Sequence, residues 1–354
     1  QGMRSPPQLD LAGRIKAEVG MPTLHAARIP DVATARFAVS SGQIDMVGMT
    51  RAHMADPHIV RKIIEGREED IRPCVGATYC LDRIYQGGMA LCIHNPSTGR
   101  EGSVPHQIEK ATKPKKVVVV GAGPAGLEAA RVAAERGHEV VVFEAAPQAG
   151  GQILLTARTA RRREMVGIID WRMAQCTALG VKFNFNTWAE ASDVTSENPD
   201  LVIIATGGLP QKDVLSYGNE LTVSAWDILS GDVKPGTNVL LFDDAGDHTA
   251  MQAAQFLAIG LGHILVEVGI ELGIGHGVDA GAPAPEMQHG GRGNGDLGRV
   301  ARRDPARQVL EIGALDVARV ADLAGHEDRR RRQVILADGP RHHLGIVGGH
   351  AFEL

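Results

Sequence analysis

The sequence lacks the long apolar runs, the cysteine density and the basic charge that mark several classes of protein. Its longest apolar stretches, such as Val117–Val120 and Leu201–Ala205, are only as long as a strand, so we expect no membrane span. Four cysteines in 354 residues are too few for a disulfide scaffold. The formal net charge of −5 provides no general attraction for nucleic acid. With 44% apolar residues, the composition is that of a folded protein, and the length predicts two or three domains.

Lysine and aromatic residues are scarce at the end of the chain. No lysine follows Lys234, and Phe352 is the only aromatic residue after position 260. We therefore predict an irregular tail over residues 263–354, and our hypothesis is that translation from near residue 261 is out of frame. The alternative is a genuine basic tail that contacts a partner through the arginine run Arg329–Arg332.

Between these regions, hydrophobic patterns predict alternating strands and helices. Residues 21–70 show a βαβα pattern, in which Asp31 can cap a helix and Gly42 can end it. A strand, a helix and a second strand follow from Val117, which is typical of a parallel α/β domain. The predicted strands are 22–26, 44–49, 117–120, 139–143, 180–185, 201–205 and 238–242, and the predicted helices are 32–41, 56–65, 124–136 and 249–259.

A glycine pattern, Gly121-x-Gly123-x-x-Gly126, lies between the all-valine strand and its helix. Gly121 permits a tight turn, Gly123 lets a pyrophosphate approach the backbone, and Gly126 lets the helix pack closely on the strand. The amides at the start of the helix, including that of Ala125, favour an anionic phosphate. Glu144, 18 positions after the last glycine, ends the next strand and can bind a ribose 2′-hydroxyl. The pattern therefore predicts a dinucleotide site.

Two later turns extend this prediction. Thr206 and Gly207 follow an apolar strand and fit the edge of the same nucleotide site. Asp243–Gly246 occupies another strand-to-helix turn and can begin a second nucleotide-binding subdomain near residue 237. It lacks the three-glycine pattern, so an ordinary turn is an equal alternative.

Three cysteines, Cys74, Cys80 and Cys92, lie within 19 residues of one another. Thiolates so close in sequence suit an iron–sulfur cluster or zinc, although three thiols are one fewer than the usual four. Reduced thiols in a loop are the alternative. Cys176 lies on a predicted helix and is most simply a small buried apolar residue.

These motifs resemble a known family. The segments Ile71–Gly76, Cys80–Ile84 and Cys92–Pro96 are similar to the 4Fe-4S loop of the flavin-dependent family of trimethylamine dehydrogenase and 2,4-dienoyl-CoA reductase. The amino-acid sequence of Ala77–Cys80 is most similar to that of the N-methylproline demethylase branch. Ala77 stands where the family has a fourth cysteine, so the resemblance implies a cluster with a non-cysteine ligand or solvent at one iron, or no cluster.

The resemblance, which covers about residues 15–262, also implies a fold and further cofactors. In the family, an FMN-binding TIM barrel precedes the cluster loop and a Rossmann-like FAD/NAD(P)-binding domain follows it. Residues 21–70 resemble the last two βα units of that barrel, which assigns the FMN phosphate to Ala27 and Arg28 in one loop and to Thr50 and Arg51 in the next. The fold class is therefore α/β, with a TIM-barrel remnant over 1–70, an iron–sulfur loop and linker over 71–112, a nucleotide-binding domain over 113–262 and the tail.

The function implied by the resemblance is that of a flavin-dependent oxidoreductase of the NADH:flavin oxidoreductase, amine dehydrogenase or N-demethylase type. Electrons would pass between FMN, a 4Fe-4S cluster and a dinucleotide site that holds FAD or ADP, with NAD(P)H as a further cofactor. The alternative is a non-catalytic nucleotide-binding fragment, because the barrel strands expected to contact substrate are not in this sequence.

The expected partners follow from this function. A small-molecule substrate is expected in either redox direction, and an electron-carrier protein is expected if only ADP binds. No nucleic acid or membrane partner is expected, and assembly into a homo-oligomer stays open. The first seven residues contain neither an apolar segment nor a processing site, so we expect a cytoplasmic location.

Overall fold

The computed structural model describes residues 7–26, 28–212, 218–236, 239–243 and 248–261, together with five short strands nearer the end of the chain. Contacts divide the chain into two units, the first ending at Leu209 and the second starting at Pro210. This boundary falls inside the segment 113–262 that the sequence predicts as one domain. Among the described residues, no helix is both long and apolar enough to cross a membrane.

The first unit begins with short parallel strands and helices. Strands β1 and β2 pair in parallel, with Leu24 opposite Met46, as neighbouring strands of a βα repeat do. Asp31 caps α2 by accepting the backbone N–H of Thr34 at 2.7 Å, so this predicted helix start is confirmed. The elements are α1 (Leu9–Val19), β1 (Leu24–His25), α2 (Val32–Ser40), β2 (Met46–Val47), α3 (Thr50–Ala55) and α4 (Ile59–Ile64).

The helix predicted to start at Asp56 differs in the structure. Asp56 lies in an extended conformation after α3, because a residue that precedes a proline is disfavoured in the helical region. Its carboxylate accepts the backbone N–H of His58 at 2.9 Å, and α4 begins only at Ile59. The hydrogen bond to the Asp56 carboxylate therefore takes the place of the first helical turn that the sequence predicts after Asp56.

The segment 74–98, which carries the three closely spaced cysteines, contacts both α3, where Thr98 donates to the carbonyl oxygen of Met54, and the core of a larger sheet, which includes Val75. A short 3-10 helix at Glu68–Asp70 precedes it, and α5 (Tyr79–Tyr85) contains Cys80. The sequence analysis did not predict α5, because its seven residues are too few to show a helical period.

A four-stranded parallel sheet forms the centre of the first unit. Its strand order is β5-β4-β3-β6, the 3-2-1-4 order of dinucleotide-binding sheets. The strands predicted over 117–120, 139–143 and 201–205 are confirmed to within a residue at each end, and the helix predicted over 124–136 is confirmed as α6. The elements are β3 (Lys116–Val120), α6 (Pro124–Glu135), β4 (Glu139–Phe143), α7 (Gln152–Ala157), a 3-10 helix (Ala160–Val166), α8 (Gly167–Ala178), β5 (Lys182–Asn184), α9 (Ala191–Ser196) and β6 (Leu201–Ile204).

Apolar side chains cover both faces of the two central strands, β3 and β4, which explains their near-continuous valine runs. Alternate residues of β3 point to opposite faces, so Val117 and Val119 pack against α6 and α8, whereas Val118 packs on the other side. Cys176 of α8 is fully buried in the first of these clusters, as the sequence predicts.

The second unit contains a mixed sheet in the order β10-β9-β8-β11-β7. Strands β8 and β9 pair in parallel across α11, which forms a βαβ unit. Ser224 caps α10 through a capping box with Asp227. The elements are a 3-10 helix (Asn219–Leu221), β7 (Thr222–Val223), α10 (Ala225–Ser230), β8 (Val239–Asp243), α11 (His248–Leu261), β9 (Ile264–Val268), β10 (Gln308–Ile312), β11 (Gln333–Ala337), β12 (Leu344–Val347) and β13 (His350–Glu353).

Five of these strands lie in the predicted irregular tail. The composition of residues 263–354 predicts an irregular tail, yet β9 pairs with β8 and β11 pairs with both β7 and β8. The arginine run Arg329–Arg332 and the remaining residues of 263–354 lie outside the described residues.

Candidate functional site

The glycine turn after β3 is shaped by close backbone packing. Gly121 has a φ of 102°, and a side chain there would also overlap the carbonyl oxygen of Ala205 at the end of β6. A Cβ on Gly126 would overlap the carbonyl oxygen of Gly121. These two glycines therefore let strand, turn and helix approach one another, as the sequence predicts.

Gly123 differs from its two neighbours because it faces open space. It is the N-cap residue of α6, with a φ of −72°, and no atom lies within 4 Å of the position that its Cβ would take. The first N–H groups of an α-helix have no acceptor within the helix, and here they belong to the turn around Ala125 and Gly126. An anion of phosphate size can therefore approach this backbone.

Glu144 lies beside the same turn. One carboxylate oxygen accepts the backbone N–H of Ala122 at 2.6 Å, and the other accepts the N–H of Ala146 at 2.8 Å. A carboxylate can accept about four hydrogen bonds, so two positions are left for hydroxyl groups of a ribose. The structure thus brings Glu144 to the glycine turn, and its bond to a ribose stays a prediction.

A second glycine turn, which the sequence analysis missed, lies against the first. The N–H of Gly150 donates to the carbonyl oxygen of Ala122 at 2.9 Å, and the Cβ position of Gly151 is 3.4 Å from the Cα of Gly123. Gln152 starts α7 and donates from its side-chain amide to the carbonyl oxygen of Gly208 at 3.3 Å. The signal for this turn was the glycine pair between a strand and a helix.

The crevice formed at the carboxyl ends of three neighbouring strands is therefore lined by two glycine turns, a carboxylate and the β6 loop. Thr206 and Gly207 belong to that loop, and both are exposed. Parallel α/β sheets bind ligands at this edge. Of the further turn predicted at Asp243–Gly246, Asp243 ends β8 and the other three residues lie outside the described residues.

The three predicted cluster cysteines line one cavity of the first unit. Cys74, Cys80 and Cys92 share it with Ala77, the residue at the family's fourth cysteine position. Burial raises the pKa of the Cys74 thiol, the nearby thiols of Cys92 and Cys80 add to this effect, and the guanidinium of Arg51 opposes it. All three thiols are unpaired cysteines.

The chemistry of the three cysteines is that of iron–sulfur ligands. Thiolates are the usual ligands of such clusters, and the three line one cavity. Among the described residues, no group of three His, Cys, Asp or Glu side chains could hold a single metal ion as it stands. The three residues present thus fit an iron–sulfur group, and one further ligand position has no thiol.

Buried charges surround the cysteine loop. Arg72, two residues before Cys74, lies over the ring of Trp171 at 4.2 Å from its centre, and burial lowers its pKa to about 10. Glu128 of α6 forms ion pairs with Arg131 at 2.6 Å and with Arg172 at 2.8 Å. The cysteine loop is therefore tied to α6, the helix that begins at the glycine turn, and to α8.

Two of the residues assigned to an FMN phosphate, Arg28 and Arg51, lie close to the loop that carries the cysteines. Arg28 forms an ion pair with Glu164 at 2.6 Å, and Arg51 lines the cysteine cavity. Thr50 begins α3 and lines a separate cavity of about 520 Å³ with His53 and other residues. Ala27 lies outside the described residues, and the FMN assignment stays a prediction.

Comparison with known proteins finds extensive matches. The family described as "Pyridine nucleotide-disulphide oxidoreductase" matches residues 98–239. The chain is 73% identical over 258 residues to "Probable N-methylproline demethylase" of Rhizobium meliloti (strain 1021), which covers 73% of this chain and 38% of that protein. It is 41% identical over 343 residues to "Multifunctional alkene reductase/demethylase OYE" of Caballeronia cordobensis, which covers 96% of this chain and 46% of that protein.

A solved structure shows the same fold over most of the chain. The complex of 2-naphthoyl-CoA reductase with 2-naphthoyl-CoA superposes with a TM-score of 0.68 at 35% identity, covering 74% of this chain and 40% of that one. The chain thus spans less than half the length of each of these relatives. The alignment with the Caballeronia protein extends into residues 263–354. The reading-frame hypothesis for that segment stays a prediction, which translation of the other frames of the coding DNA would decide.

Proposed function

Since the chain belongs to the oxidoreductase family of trimethylamine dehydrogenase and 2,4-dienoyl-CoA reductase, we propose that it forms the nucleotide-binding part of a flavin-dependent oxidoreductase. The observation that supports this most is the crevice at the carboxyl ends of β3, β4 and β6. There Gly123 leaves open space, the start of α6 presents amides, and Glu144 lies beside the turn. This arrangement suits the pyrophosphate and ribose of FAD or ADP.

Each part of the crevice has one role in this proposal. The amides after Gly123 bind the pyrophosphate, and Glu144 accepts hydrogen bonds from the ribose hydroxyls. A 2′-phosphate next to this carboxylate would be repelled, so the ribose at this position is unphosphorylated. Thr206 and Gly207 border the rest of the nucleotide. NAD(P)H is a further cofactor of the proposed enzyme, bound in the subdomain that starts near residue 237.

The proposed second cofactor is an iron–sulfur cluster held by Cys74, Cys80 and Cys92. Its fit rests on the shared cavity of these thiols and on the basic groups nearby, since Arg51 and Arg172 favour a negatively charged cluster. When bound, such a cluster supplies one-electron transfer. The chain's own contribution is to hold the three half-buried cysteines around one cavity.

The proposed third cofactor is FMN, whose phosphate we assign to Arg28 and Arg51 together with Ala27 and Thr50. The parallel pairing of β1 with β2 supports the interpretation of this region as two βα units of a TIM barrel. Leu24 and Met46 on these strands are 59% and 51% exposed, as expected for strands that pack against further parts of a barrel.

The substrate class that we propose is an N-methylated amine. The support is the 73% identity to the protein named as an N-methylproline demethylase. A bound flavin would supply hydride acceptance in such a reaction, in which the N–CH3 group would be oxidised to an iminium and water would hydrolyse it to the demethylated amine and formaldehyde. The second candidate is nucleotide binding without catalysis by this chain, which is favoured by its coverage of 38% of that relative.

Purification under anaerobic conditions tests the proposal. We expect the chain to bind ADP or FAD, to yield flavin on acid extraction, and to contain iron and sulfide in equal amounts with broad visible absorbance. A colourless protein that binds ADP would support the second candidate instead. A protein that binds neither ADP nor FAD would contradict both.

A further inference from the structure

His94 is a buried histidine next to the cysteines of the loop, and its second ring nitrogen has no hydrogen-bond partner among the described residues. The side chain is fully buried, with no carboxylate of the described chain bonded to it, and an unpaired charge there would be costly, so the ring is taken as the neutral imidazole. Nδ1 lies 2.9 Å from the carbonyl oxygen of Pro73. Because a carbonyl oxygen only accepts, Nδ1 carries the proton and Nε2 carries a lone pair. That Nε2 atom is shielded from solvent and unpaired within the described residues.

A buried polar atom without a partner is costly, so a bound group that pairs with it stabilises the protein. A neutral imidazole whose Nδ1–H is held by a backbone carbonyl is also the arrangement in which Nε2 binds a metal. The hydrogen bond to Pro73 fixes both the tautomer and the ring orientation.

His94 lines the same cavity as the three cysteines. Its backbone N–H donates to the Sγ of Cys92 at 3.4 Å, so the two residues are held together. The cavity also contains Ala77, which leaves the cluster one thiolate short. One cavity is therefore lined both by the position that lacks a thiolate and by a residue with an unused donor atom.

Other polar groups on the cavity are weaker ligands for iron. Arg51 has no lone pair to donate. The hydroxyl of Thr78 donates to the carbonyl oxygen of Ala77 at 2.7 Å. The thioether of Met54 is a poorer donor to iron than imidazole.

We propose that Nε2 of His94 is the fourth protein ligand of the iron–sulfur cluster, in place of a thiolate at position 77. This inference rests on the proposed function, because it requires that a cluster assembles. Neutral imidazole in place of a thiolate gives the cluster one negative charge fewer, which raises its reduction potential relative to a four-cysteine cluster. The ring is held in place by its edge contact with Trp171 at 5.4 Å between ring centres.

The test is pulsed EPR of the reduced cluster in the full chain after anaerobic reconstitution. Wild type should show a strongly coupled nitrogen whose signal changes when histidine is labelled with 15N. In His94→Cys the cluster should persist, the nitrogen coupling should be lost, and the reduction potential should fall. His58→Gln is the matched control, because the Nε2 of His58 is also buried and unpaired but does not line the cysteine cavity. This control should keep the coupling.

Each other outcome overturns the inference in a recognisable way. A wild-type cluster without coupled nitrogen, or a coupling that survives in His94→Cys, would show that His94 is not a ligand, while the proposed function would stand. If wild type binds ADP but assembles no cluster, both the inference and the iron–sulfur part of the proposed function fail. If ADP does not bind either, the proposed function itself fails.

Discussion

Gly123→Ala separates a binding role from a folding role more cleanly than any other change in the glycine turn. No atom lies within 4 Å of the added Cβ, and the φ of −72° is allowed for alanine. Alanine is a poorer N-cap than glycine by about 0.5–1 kcal/mol, but it stabilises the fold by about 0.4–1 kcal/mol because it lowers the conformational entropy of the unfolded chain. These effects oppose each other, so the free energy of unfolding should change by less than about 1 kcal/mol.

The same methyl group should weaken nucleotide binding. It projects into the open space where we place the pyrophosphate and would keep a phosphate away from the helix amides. Loss of one hydrogen bond to a charged group costs about 1.5–3 kcal/mol, which corresponds to about a 10- to 150-fold higher Kd for ADP. Isothermal titration calorimetry with ADP and urea unfolding measure the two quantities on one variant.

Gly102→Ala is the matched control, because this position is exposed, has open space around its Cβ and lies outside the crevice. It should leave both the Kd and the unfolding free energy unchanged. Gly126→Ala should behave oppositely to Gly123→Ala, since its Cβ overlaps the carbonyl oxygen of Gly121 and overpacking costs about 1–3 kcal/mol. Wild-type affinity for ADP in Gly123→Ala would refute the placement of the pyrophosphate.

Three further changes test other parts of the first unit. Wild type should bind ADP more tightly than 2′-deoxy-ADP, and Glu144→Ala should bind the two equally by calorimetry; a preference that survives the substitution would exclude the ribose contact. Glu128→Gln should lower the free energy of unfolding in urea by about 3–5 kcal/mol, because buried Arg172 loses its ion-pair partner and Arg131 keeps only Glu135 among the described residues, whereas the exposed Glu109→Gln should change it by less than about 0.5 kcal/mol. Burial acts to raise the pKa of Asp56, but hydrogen bonds from Lys62 and from the backbone N–H of Arg72 outweigh burial and lower that pKa. The stability that the Asp56 carboxylate contributes is therefore present above the pKa of the unfolded state and is lost as the pH falls through the folded pKa. Asp56→Asn should accordingly be less stable than wild type at neutral pH and approach it in acid, and a stability difference that is constant from neutral to acid pH would contradict this.

The nucleotide crevice could be predicted from sequence because its signals are local. Strand β3, the glycine turn and α6 follow one another within 20 residues, and each residue type has a direct backbone reason. Gly150 and Gly151 were missed because their role depends on contact with Ala122 and Gly123, which are distant in sequence. Local patterns do not show such contacts.

The cysteine cavity illustrates the same limit. The three cysteines were identified from their spacing, whereas His94 was not, because a histidine two residues after a cysteine has no distinctive spacing. What distinguishes it is a carbonyl oxygen 21 residues earlier in the chain and complete burial. The strands of the predicted tail were missed for a related reason, since their partners include β7 and β8 far upstream.

The buried ion network suggests why the cysteine loop and the nucleotide crevice occur in one unit. Glu128 follows the last glycine of the turn by two residues on α6, and it is paired with Arg172, whose guanidinium also donates to the carbonyl oxygen of His94 at 2.9 Å. Through Arg172, the backbone next to Cys92 is bonded to α6, the helix that begins at the glycine turn. A buried charge without its partner is costly, so these groups hold one arrangement. The network therefore fixes the position of the cysteine loop relative to the glycine turn, and fixed positions are what the proposed electron transfer between two cofactors would require of the protein.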